Sequence, residues 1–337
     1  MKIQTNIENL KNYKIYLKVE KAVCEFLEKK GYLKMDLPVL SPALIPESYL
    51  EIFETEFRYL DKKEKLYMTP SPELFLKRLL VRGIGNCYYL GKAFRNSEPN
   101  SPWHLPEYTM LEYYRVGASY LQLADEILEM MRYIHKILNT KHSTQKKLLY
   151  QGKTFSFEKW EKFTVAEAFE KFSGISEEEL FDETLFIKKA KKKGYRIAGF
   201  AYQDIFSQMI AQEIEPRLGK KGHPTLLYDY PKQMSSLAKL TVDGRVAKRV
   251  EFYINGIEIG GCCEELNNWY QQRERFEDQE KKRKKAGMID LRIDNGFIEA
   301  LQYGLPDCTG VGIGFERLAM IFADISSIDE LKLITVV

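Results

Sequence analysis

The stretch that decides the fold is Phe94-Arg95-Asn96-Ser97-Glu98, taken together with Gly310-Val311-Gly312-Ile313-Gly314-Phe315-Glu316-Arg317 near the C-terminus. Each stretch contains one arginine, and a guanidinium presents a rigid fork of donors that matches phosphate oxygens. The sequence has neither a Gly-rich loop ending in Lys-Ser/Thr nor a G-x-G-x-x-G turn after a strand. The two arginines therefore predict a clamp on ATP that does without the usual phosphate-binding loops.

The surroundings of Arg95 predict an antiparallel hairpin. Residues 87–94 and 108–114 have strand character, and a polar, proline-containing loop up to Pro106 joins them. The two arms of this hairpin carry Arg95 and Glu112.

Further from this hairpin, the sequence alternates between helical and strand patterns. Helices are predicted at 12–30, closed by Gly31, at 72–82, at 120–138 and at 269–286. Strands are predicted at 32–38, 53–59, 66–68, 226–230, 250–254, 258–261 and 311–315, with one hairpin around 61–64 and another that turns at Asn255-Gly256. Residues 119–221 are expected to be mainly helical. The basic runs at 188–193 and 281–285 are typical of solvated helix faces.

The composition limits the kind of protein. The chain has 337 residues, of which 45% are hydrophobic, so it can bury a substantial core. Its formal net charge of +3 is too balanced for a protein whose main task is to grip a nucleic acid backbone. Five cysteines without a C-x-x-C pair indicate reduced thiols in the cytoplasm. No signal peptide or membrane span is predicted, and the four histidines lack metal-ligand spacing.

Three segments, in this order, resemble the motifs of the class II aminoacyl-tRNA synthetases: Gly31-Tyr32-Leu33 with Pro38 after a long helix, the Arg95 stretch and the Arg317 stretch. Segments 68–79, 106–114 and 249–258 are similar to the lysine-specific subgroup. The resemblance covers nearly the whole chain. It implies an α+β fold, with an antiparallel sheet flanked by helices, a helical insertion at about 119–221 and a homodimer interface at the first motif. Residues 1–337 would form a single catalytic domain.

A lysine-specific synthetase also has an N-terminal β-barrel that binds the anticodon. Only about ten residues precede the first predicted helix here, too few for a barrel, so no anticodon-binding domain is expected. The chain is in this respect similar to the stand-alone relatives that attach a lysine-type amino acid to a lysine of elongation factor P. The resemblance therefore implies elongation factor P as the acceptor, rather than tRNA.

The resemblance assigns the two arginines as catalytic residues on ATP. Arg95 would hold the α-phosphate, and Arg317 would contact the terminal phosphate and the adenine. Tyr108 would stack on the adenine, and Gly314 would leave room for the nucleotide. The remaining ATP-binding candidates are Asn96, Glu98, His104, Glu251 and Phe252. For His104, a surface histidine without a ligand is the alternative.

Two glutamates are the candidate ligands of Mg²⁺. Glu251 and Glu258 lie on two predicted strands joined by the Asn255-Gly256 turn, which brings their carboxylates together. Two carboxylates that face a triphosphate are suited to Mg²⁺ between them. Exposed strand residues are the alternative.

The amino acid pocket is implied by a further set of residues. Glu73 would take the α-amine, and Glu112, Tyr114 and Glu265 would line the end of the side chain, because a buried ammonium needs a carboxylate. Core packing is the alternative for Tyr114, and a charge at a helix N-terminus is the alternative for Glu265. The other substrate-binding candidates are Ser71, Glu258 and Gly261.

The chain departs from the lysine-specific pattern in this pocket. Gly261 and Cys263 stand where that pattern has Asn and Phe, so the substrate is open between α-lysine, β-lysine and another amino acid. Two further possibilities are open: the same chemistry with tRNA, a carrier protein or a small molecule as acceptor, and a non-catalytic regulatory paralogue.

Overall fold

The structure, a computed structural model, describes residues 2–97, 101–139 and 147–336. The chain forms two compact units. The first comprises Met1–Gly117 with Leu266–Val337, and the second comprises Ala118–Glu265. Within the described part of the chain, no helix combines the length and the apolar character needed to cross a membrane.

The N-terminal part of the first unit has one long helix followed mainly by strands. Its elements are β1 (Ile3–Thr5), α1 (Leu10–Lys29), β2 (Leu33–Lys34), β3 (Leu40–Ser41), β4 (Glu54–Tyr59), β5 (Lys62–Met68), α2 (Glu73–Val81), β6 (Cys87–Phe94) and β7 (Glu107–Val116). Helix α1 buries Val19, Ala22, Val23, Phe26 and Leu27 along one face. Gly31, with φ of +82°, then supplies the left-handed turn that reverses the chain.

The second unit alternates short strands and helices before a long hairpin. Its elements are α3 (Tyr120–Leu138), β8 (Leu148–Tyr150), β9 (Lys153–Phe155), β10 (Glu161–Thr164), α4 (Val165–Ser173), α5 (Glu177–Phe181), α6 (Glu183–Lys192), α7 (Tyr202–Met209), β11 (Thr225–Pro231), β12 (Val246–Ile254) and β13 (Ile257–Glu264). A capping box starts α3: Ser119 Oγ accepts from the Gln122 N–H, and the Gln122 side chain accepts from the Ser119 N–H.

The C-terminal part of the chain returns to the first unit. Its elements are α8 (Trp269–Lys285), α9 (Asn295–Gln302), β14 (Cys308–Gly314), α10 (Phe315–Ala323) and β15 (Ile334–Val336). Strand β14 leads directly into α10, so the last glycine of the strand precedes the helix that carries Arg317.

In the first unit, four strands lie in the order β14-β7-β6-β2. The β14–β7 and β7–β6 pairs are antiparallel, and β2 joins β6 in parallel. The register places Gly314 opposite Met110, and Phe94 opposite Glu107. The C-terminal ends of β14 and β6 therefore meet the start of β7, at the end of the sheet from which Arg95 and Arg317 follow.

In the second unit, four strands lie in the order β10-β11-β12-β13. The β11–β12 and β12–β13 pairs are antiparallel, and β10 joins β11 in parallel. The β12–β13 register shifts by one residue between Phe252 and Tyr253, which leaves Ile259 as a bulge. The hydrophobic core of this unit packs α4 to α7 against β11 and β12 around aromatic side chains such as Phe169 and Phe206, whose ring centroids are 5.0 Å apart.

The predicted α+β fold is confirmed, and so is the helix at 120–138. Two local predictions are wrong. Residues 32–38 do not form one strand, because pairing within them is restricted to β2. The hairpin predicted around 61–64 is present, but residues 62–64 belong to β5, since the turn uses only Leu60 and Asp61. The segment 119–221 contains helices α3 to α7 and, in addition, strands β8, β9 and β10.

Candidate active site

Arg95 is the first residue of the loop that joins β6 to β7, and the side chain of Arg317 contacts this loop. The Arg95 N–H donates to the Pro106 carbonyl at 2.9 Å, and its guanidinium lies 5.4 Å from the centre of the Tyr108 ring. Arg317 Nε donates to the Trp103 carbonyl at 3.0 Å. The structure thus brings these two residues, which are more than two hundred positions apart in sequence, to one end of the first unit's sheet.

His104 connects this loop to Arg317. Arg317 Nη2 lies 2.9 Å from His104 Nε2, and Ser101 Oγ lies 2.5 Å from His104 Nδ1. Because a guanidinium can only donate, His104 Nε2 must accept, and the ring proton is then on Nδ1, directed at Ser101. This tautomer follows from the hydrogen-bonding partners.

The other ATP-binding candidates of the first unit lie beside the arginines. The Asn96 N–H donates to the Glu51 carbonyl at 2.9 Å, and the Tyr108 hydroxyl donates to the Pro70 carbonyl at 2.7 Å. A Cβ built on Gly314 would lie 3.6 Å from Arg317 Cδ, an ordinary contact distance. Glu98 lies outside the described residues.

Glu316, which precedes Arg317, fixes the position of its helix. Its side chain is buried, and its two carboxylate oxygens accept from the Thr109 N–H at 3.0 and 2.9 Å and from Lys332 Nζ at 2.5 Å. Tyr16 of α1 hydrogen bonds to the Thr109 hydroxyl at 3.1 Å. Burial and the nearby Glu316 carboxylate raise the pKa of Tyr16. Elements from all three sequence motifs therefore meet around one carboxylate.

The amino acid candidates of the first unit form a connected hydrogen-bond network. Ser71 Oγ donates to Glu112 Oε2 at 2.6 Å and accepts from the Glu73 N–H at 3.0 Å. The Tyr114 hydroxyl donates to Glu112 Oε1 at 2.9 Å. Glu73 forms an ion pair with Lys77, four residues along α2. All four predicted residues are thus brought together, and Lys77 is an addition that the sequence pattern did not indicate.

In the second unit, Glu251 and Glu258 lie on the same face of the β12–β13 hairpin. Glu258 pairs with Tyr253, which is two residues from Glu251 along β12, so the three side chains point to one side. Glu251 Oε1 accepts from Arg249 Nη2 at 2.6 Å, and its Oε2 accepts from the Tyr253 hydroxyl at 2.6 Å. The carboxylate of Glu251 is therefore held in one orientation by two neighbours on its own strand.

Both glutamates affect the pKa of the same two tyrosines. Burial raises the pKa of Tyr253 well above its usual value, and Glu251, Glu215 and Glu258 add to this effect. Burial also raises the pKa of Tyr230, with further contributions from Glu251 and Glu258. Both carboxylates therefore lie within electrostatic reach of the same two tyrosines.

The remaining candidates of the second unit, Phe252 and Glu265, are both buried. Phe252 is fully buried and stacks on Trp160, with ring centroids 5.6 Å apart, so only its backbone can face a ligand. Glu265 is buried as well, and Cys263 Sγ lies 3.7 Å from its Oε1. Burial raises the pKa of Cys262, which favours an inert thiol.

Gly261 lies directly opposite Glu251 in the hairpin. A Cβ at this position would be 2.8 Å from the Val250 carbonyl oxygen and 3.3 Å from Glu251 Cγ. The first distance is too short for any side chain without a backbone shift. Gly261, which stands where the lysine-specific pattern has Asn, thus lies where the neighbouring strand leaves no room for a side chain.

The two carboxylates of the β12–β13 hairpin could bind Mg²⁺ together with phosphate oxygens of a nucleotide. Among the residues that the structure describes, no three His, Cys, Asp or Glu side chains are arranged to hold a metal by themselves. Mg²⁺ usually binds one or two carboxylates together with substrate phosphates and water. The two carboxylates on one face of the hairpin, with Glu251 already oriented, meet that requirement.

Several residues of these networks were not identified from sequence: Lys77, Arg249, Tyr253, Glu316 and Lys332. The alternation of Arg249, Glu251 and Tyr253 along one strand was a usable signal, because residues two apart share a face. Lys332 gave no such signal, since it is sixteen positions from its partner and lies outside the motif.

The chain belongs to the family of class II tRNA synthetases for D, K and N, whose family model matches residues 1–334. The relatives it matches differ in how much of their own length the chain covers. It is 33% identical over 320 residues to the lysine–tRNA ligase of Carboxydothermus hydrogenoformans, which is 94% of this chain but only 63% of that protein. It is 34% identical over 313 residues to the elongation factor P–(R)-β-lysine ligase of Vibrio atlanticus, which is 91% of this chain and 90% of that protein.

A third relative, the elongation factor P–(R)-β-lysine ligase of Buchnera aphidicola, is 33% identical over 311 residues. Family membership confirms the class II synthetase resemblance and the prediction of an enzyme of the ligase class. The roles of individual site residues stay predictions.

Proposed function

We propose that the protein is an ATP-dependent ligase that adenylates lysine or β-lysine and transfers it to a lysine side chain of elongation factor P. The named activity of the relatives from Vibrio atlanticus and Buchnera aphidicola supports this acceptor. The reaction would take place in the cytoplasm, where translation factors act.

One observation carries the adenylation step: the side chain of Arg317 contacts the β6–β7 loop, whose first residue is Arg95. The amino acid carboxylate and ATP are both anions, so a catalyst must neutralise charge and align them. In the proposed step, the carboxylate oxygen attacks the α-phosphorus, a mixed anhydride forms and pyrophosphate leaves. Arg95 stabilises the negative charge on the α-phosphate, and Arg317 holds the distal phosphates.

The second unit would hold Mg²⁺ through Glu251 and Glu258. The bound ion supplies charge neutralisation to the phosphate oxygens. Arg249 and Tyr253 orient the Glu251 carboxylate, so this ligand is arranged before the nucleotide binds. Glu251 and Glu258 thereby contribute ligands whose geometry is set by the hairpin.

The carboxylates assigned to the amino acid would select a lysine-type substrate. Glu73 takes the α-amine, while Glu112, oriented by Ser71 and Tyr114, accepts from the side-chain ammonium. Glu265 in the second unit keeps the same substrate role that the family resemblance gives it. An amino acid that lacks the side-chain ammonium leaves a buried carboxylate without its partner and is rejected.

In the transfer step, the amine of the acceptor lysine attacks the carbonyl carbon of the adenylate. An amide bond forms, AMP leaves, and the amine loses its proton. The adenylate phosphate is the nearest base that the chemistry itself supplies, and no side chain is assigned to this role.

A homodimer through the first motif is part of the proposal. Leu33 and Leu40 on the short strands after α1 are exposed, as are Phe57, Tyr59 and Leu60 of the β4–β5 hairpin. A second copy of the chain would bury these apolar side chains. Light scattering of the purified protein measures the mass directly, and a monomer at micromolar concentration would contradict the dimer.

The function is tested by two assays in sequence. Pyrophosphate exchange is measured with a panel of amino acids that includes lysine and (R)-β-lysine, and the accepted one is then radiolabelled and incubated with ATP, Mg²⁺ and elongation factor P. We expect label on the factor, and none on a factor whose acceptor lysine is replaced by Arg. Exchange without any label on the factor would refute the acceptor.

A second candidate acceptor is tRNA, because the lysine–tRNA ligase of Carboxydothermus hydrogenoformans is as similar in sequence as the other relatives. The same labelled amino acid is therefore incubated with tRNA in parallel. Label that precipitates with tRNA, and not with the factor, would favour this candidate.

A further inference from the structure

We propose that Lys77 is a positioning residue that fixes the carboxylate of Glu73 for the amino group of the substrate. The inference rests on the proposed function, which assigns the substrate's α-amine to Glu73. It adds a residue that acts on the substrate through Glu73 and does not touch the reacting atoms.

The Lys77 ammonium lies in the protein interior. Lys77 is only 1% exposed, on a face of α2 that also buries Leu74, Leu76 and Leu80. Its Nζ donates to Glu73 Oε1, one helical turn earlier. Burial of an ion pair is a poor source of stability, since an apolar replacement of both partners is often neutral or better. A cation at this core position therefore calls for a role other than packing.

The two oxygens of the Glu73 carboxylate have different surroundings. Lys77 occupies Oε1, whereas no donor among the described residues is directed at Oε2. The Glu73 side chain is 15% exposed, in contrast to 2% for that of Lys77. One oxygen is thus anchored from the protein interior, and the other is open to a ligand. A carboxylate that is held in this way presents its second oxygen to an ammonium in a defined direction.

Ser71 connects the two carboxylate-bearing residues of this network. Its Oγ donates to Glu112 Oε2 at 2.6 Å. Ser71 also accepts from the Glu73 backbone N–H, which fixes the main chain of Glu73 but not its carboxylate. The direction of the Glu73 carboxylate therefore depends on Lys77.

The test compares Lys77→Met with Lys77→Arg in pyrophosphate exchange. Lysine is the substrate, or (R)-β-lysine if the panel selects it, and ε-aminocaproate is the inhibitor. This inhibitor keeps the carboxylate and the terminal amine but lacks the amine assigned to Glu73. We expect Lys77→Met to raise the KM for the amino acid about 10- to 100-fold, the scale of one charge-assisted hydrogen bond. The KM for ATP and the inhibition constant of ε-aminocaproate should change by less than about two-fold. Lys77→Arg, which keeps the cation, should recover part of the KM.

A merely structural role predicts a different pattern. In that case, the KM for the amino acid, the KM for ATP and the inhibition constant of ε-aminocaproate would rise together, and the proposal would be overturned. An unchanged KM for the amino acid in Lys77→Met would overturn it as well. Lys284→Met serves as the matched control, because it breaks an exposed pair with Glu280 at the same helical spacing, 3.0 Å apart, and should leave all constants unchanged.

A double-mutant cycle keeps the test decisive if Lys77→Met folds poorly. Glu73→Gln combined with Lys77→Met removes both charges, and its KM for the amino acid should equal that of Glu73→Gln alone. A further rise in the double variant would overturn the proposal. If the wild-type protein shows no exchange with any amino acid, the proposed function itself fails, which is a separate result from an active enzyme that is indifferent to Lys77.

Discussion

Loss of the Lys332 ammonium should destabilise the protein strongly, because it is the cationic partner of the buried Glu316 carboxylate. Glu316 has a side-chain exposure of 2%, and its Oε1 lies 2.5 Å from Lys332 Nζ. Lys332→Met leaves the carboxylate buried, with the Thr109 N–H as its remaining donor. Removal of one partner from a buried ion pair typically costs about 3–5 kcal/mol.

The structure places the expected loss at the lower end of this range. The Lys332 side chain is 19% exposed, so part of its solvation is already retained in the folded protein, and the Thr109 N–H still neutralises some charge. We expect a loss of about 3 kcal/mol in the free energy of unfolding. Urea denaturation followed by circular dichroism measures this difference as a lower midpoint with an unchanged slope.

The control is Lys65→Met, which breaks the exposed pair between Lys65 and Glu54 at 2.9 Å. Such surface pairs contribute at most about 1 kcal/mol. If Lys332→Met costs no more than Lys65→Met, the idea that Glu316 organises the three motifs through a buried charge is refuted. Glu316→Gln in the Lys332→Met background should restore part of the lost stability, because it removes the unpaired charge.

Three further predictions concern the arginine, the hairpin and a buried histidine. Arg95→Ala should lower the rate of pyrophosphate exchange by about 100-fold or more, the effect of losing one donor to developing charge, and a nearly unchanged rate would remove Arg95 from the mechanism. Tyr253→Phe removes the hydroxyl that orients Glu251, so the Mg²⁺ concentration for half-maximal exchange should rise about ten-fold, and an unaltered Mg²⁺ titration would contradict this role. Burial lowers the pKa of His135, so the unfolded state takes up the proton first as the pH falls below about 6.5, and stability declines there. His135→Phe should flatten this decline in urea midpoints measured from pH 5 to 8, and an equally steep decline would exclude His135 as its cause.

The elements that sequence predicted well are those with strong local signals. Helix α3 has a serine cap, a glutamine three residues later and a regular apolar face, so its bounds agreed with the predicted 120–138. The Asn255-Gly256 turn was equally clear, because Asn255 adopts a φ of +52° and Gly256 one of +82°, as a tight hairpin turn requires.

The β4–β5 hairpin shows why the bounds of a correctly predicted element were wrong. Its turn uses Leu60 with a φ of +54°, a conformation that leucine rarely adopts, so the sequence contained no turn signal there. The charged residues that follow are exposed strand residues, and their side chains look like those of a loop. An exposed strand lacks the alternation of apolar and polar residues on which sequence-based prediction depends.

At the candidate site, sequence motifs identified the residues proposed to touch ligands but not those that hold them. Arg95, Glu73 and Glu251 each lie within a recognisable segment. Lys77 and Lys332 act through contacts whose geometry exists only in the folded chain, and lysines at such spacings are common on helix surfaces and chain ends. Lys77 is buried and Lys332 is half-buried, and this low exposure, which separates them from ordinary surface lysines, is a property of the three-dimensional structure.

The bulge at Ile259 has a consequence for how this part of the chain is aligned with its relatives. The bulge shifts by one residue the alternation of side chains between the two faces of β13. Gly261 and Cys263 face the same side as Glu251 only because one extra residue is inserted after Glu258. The neighbours of Glu251 on β13 therefore depend on the number of residues in this strand as well as on the residue types. A single deletion within this segment would exchange the inner and outer side chains of the following strand without altering the identity of any other residue.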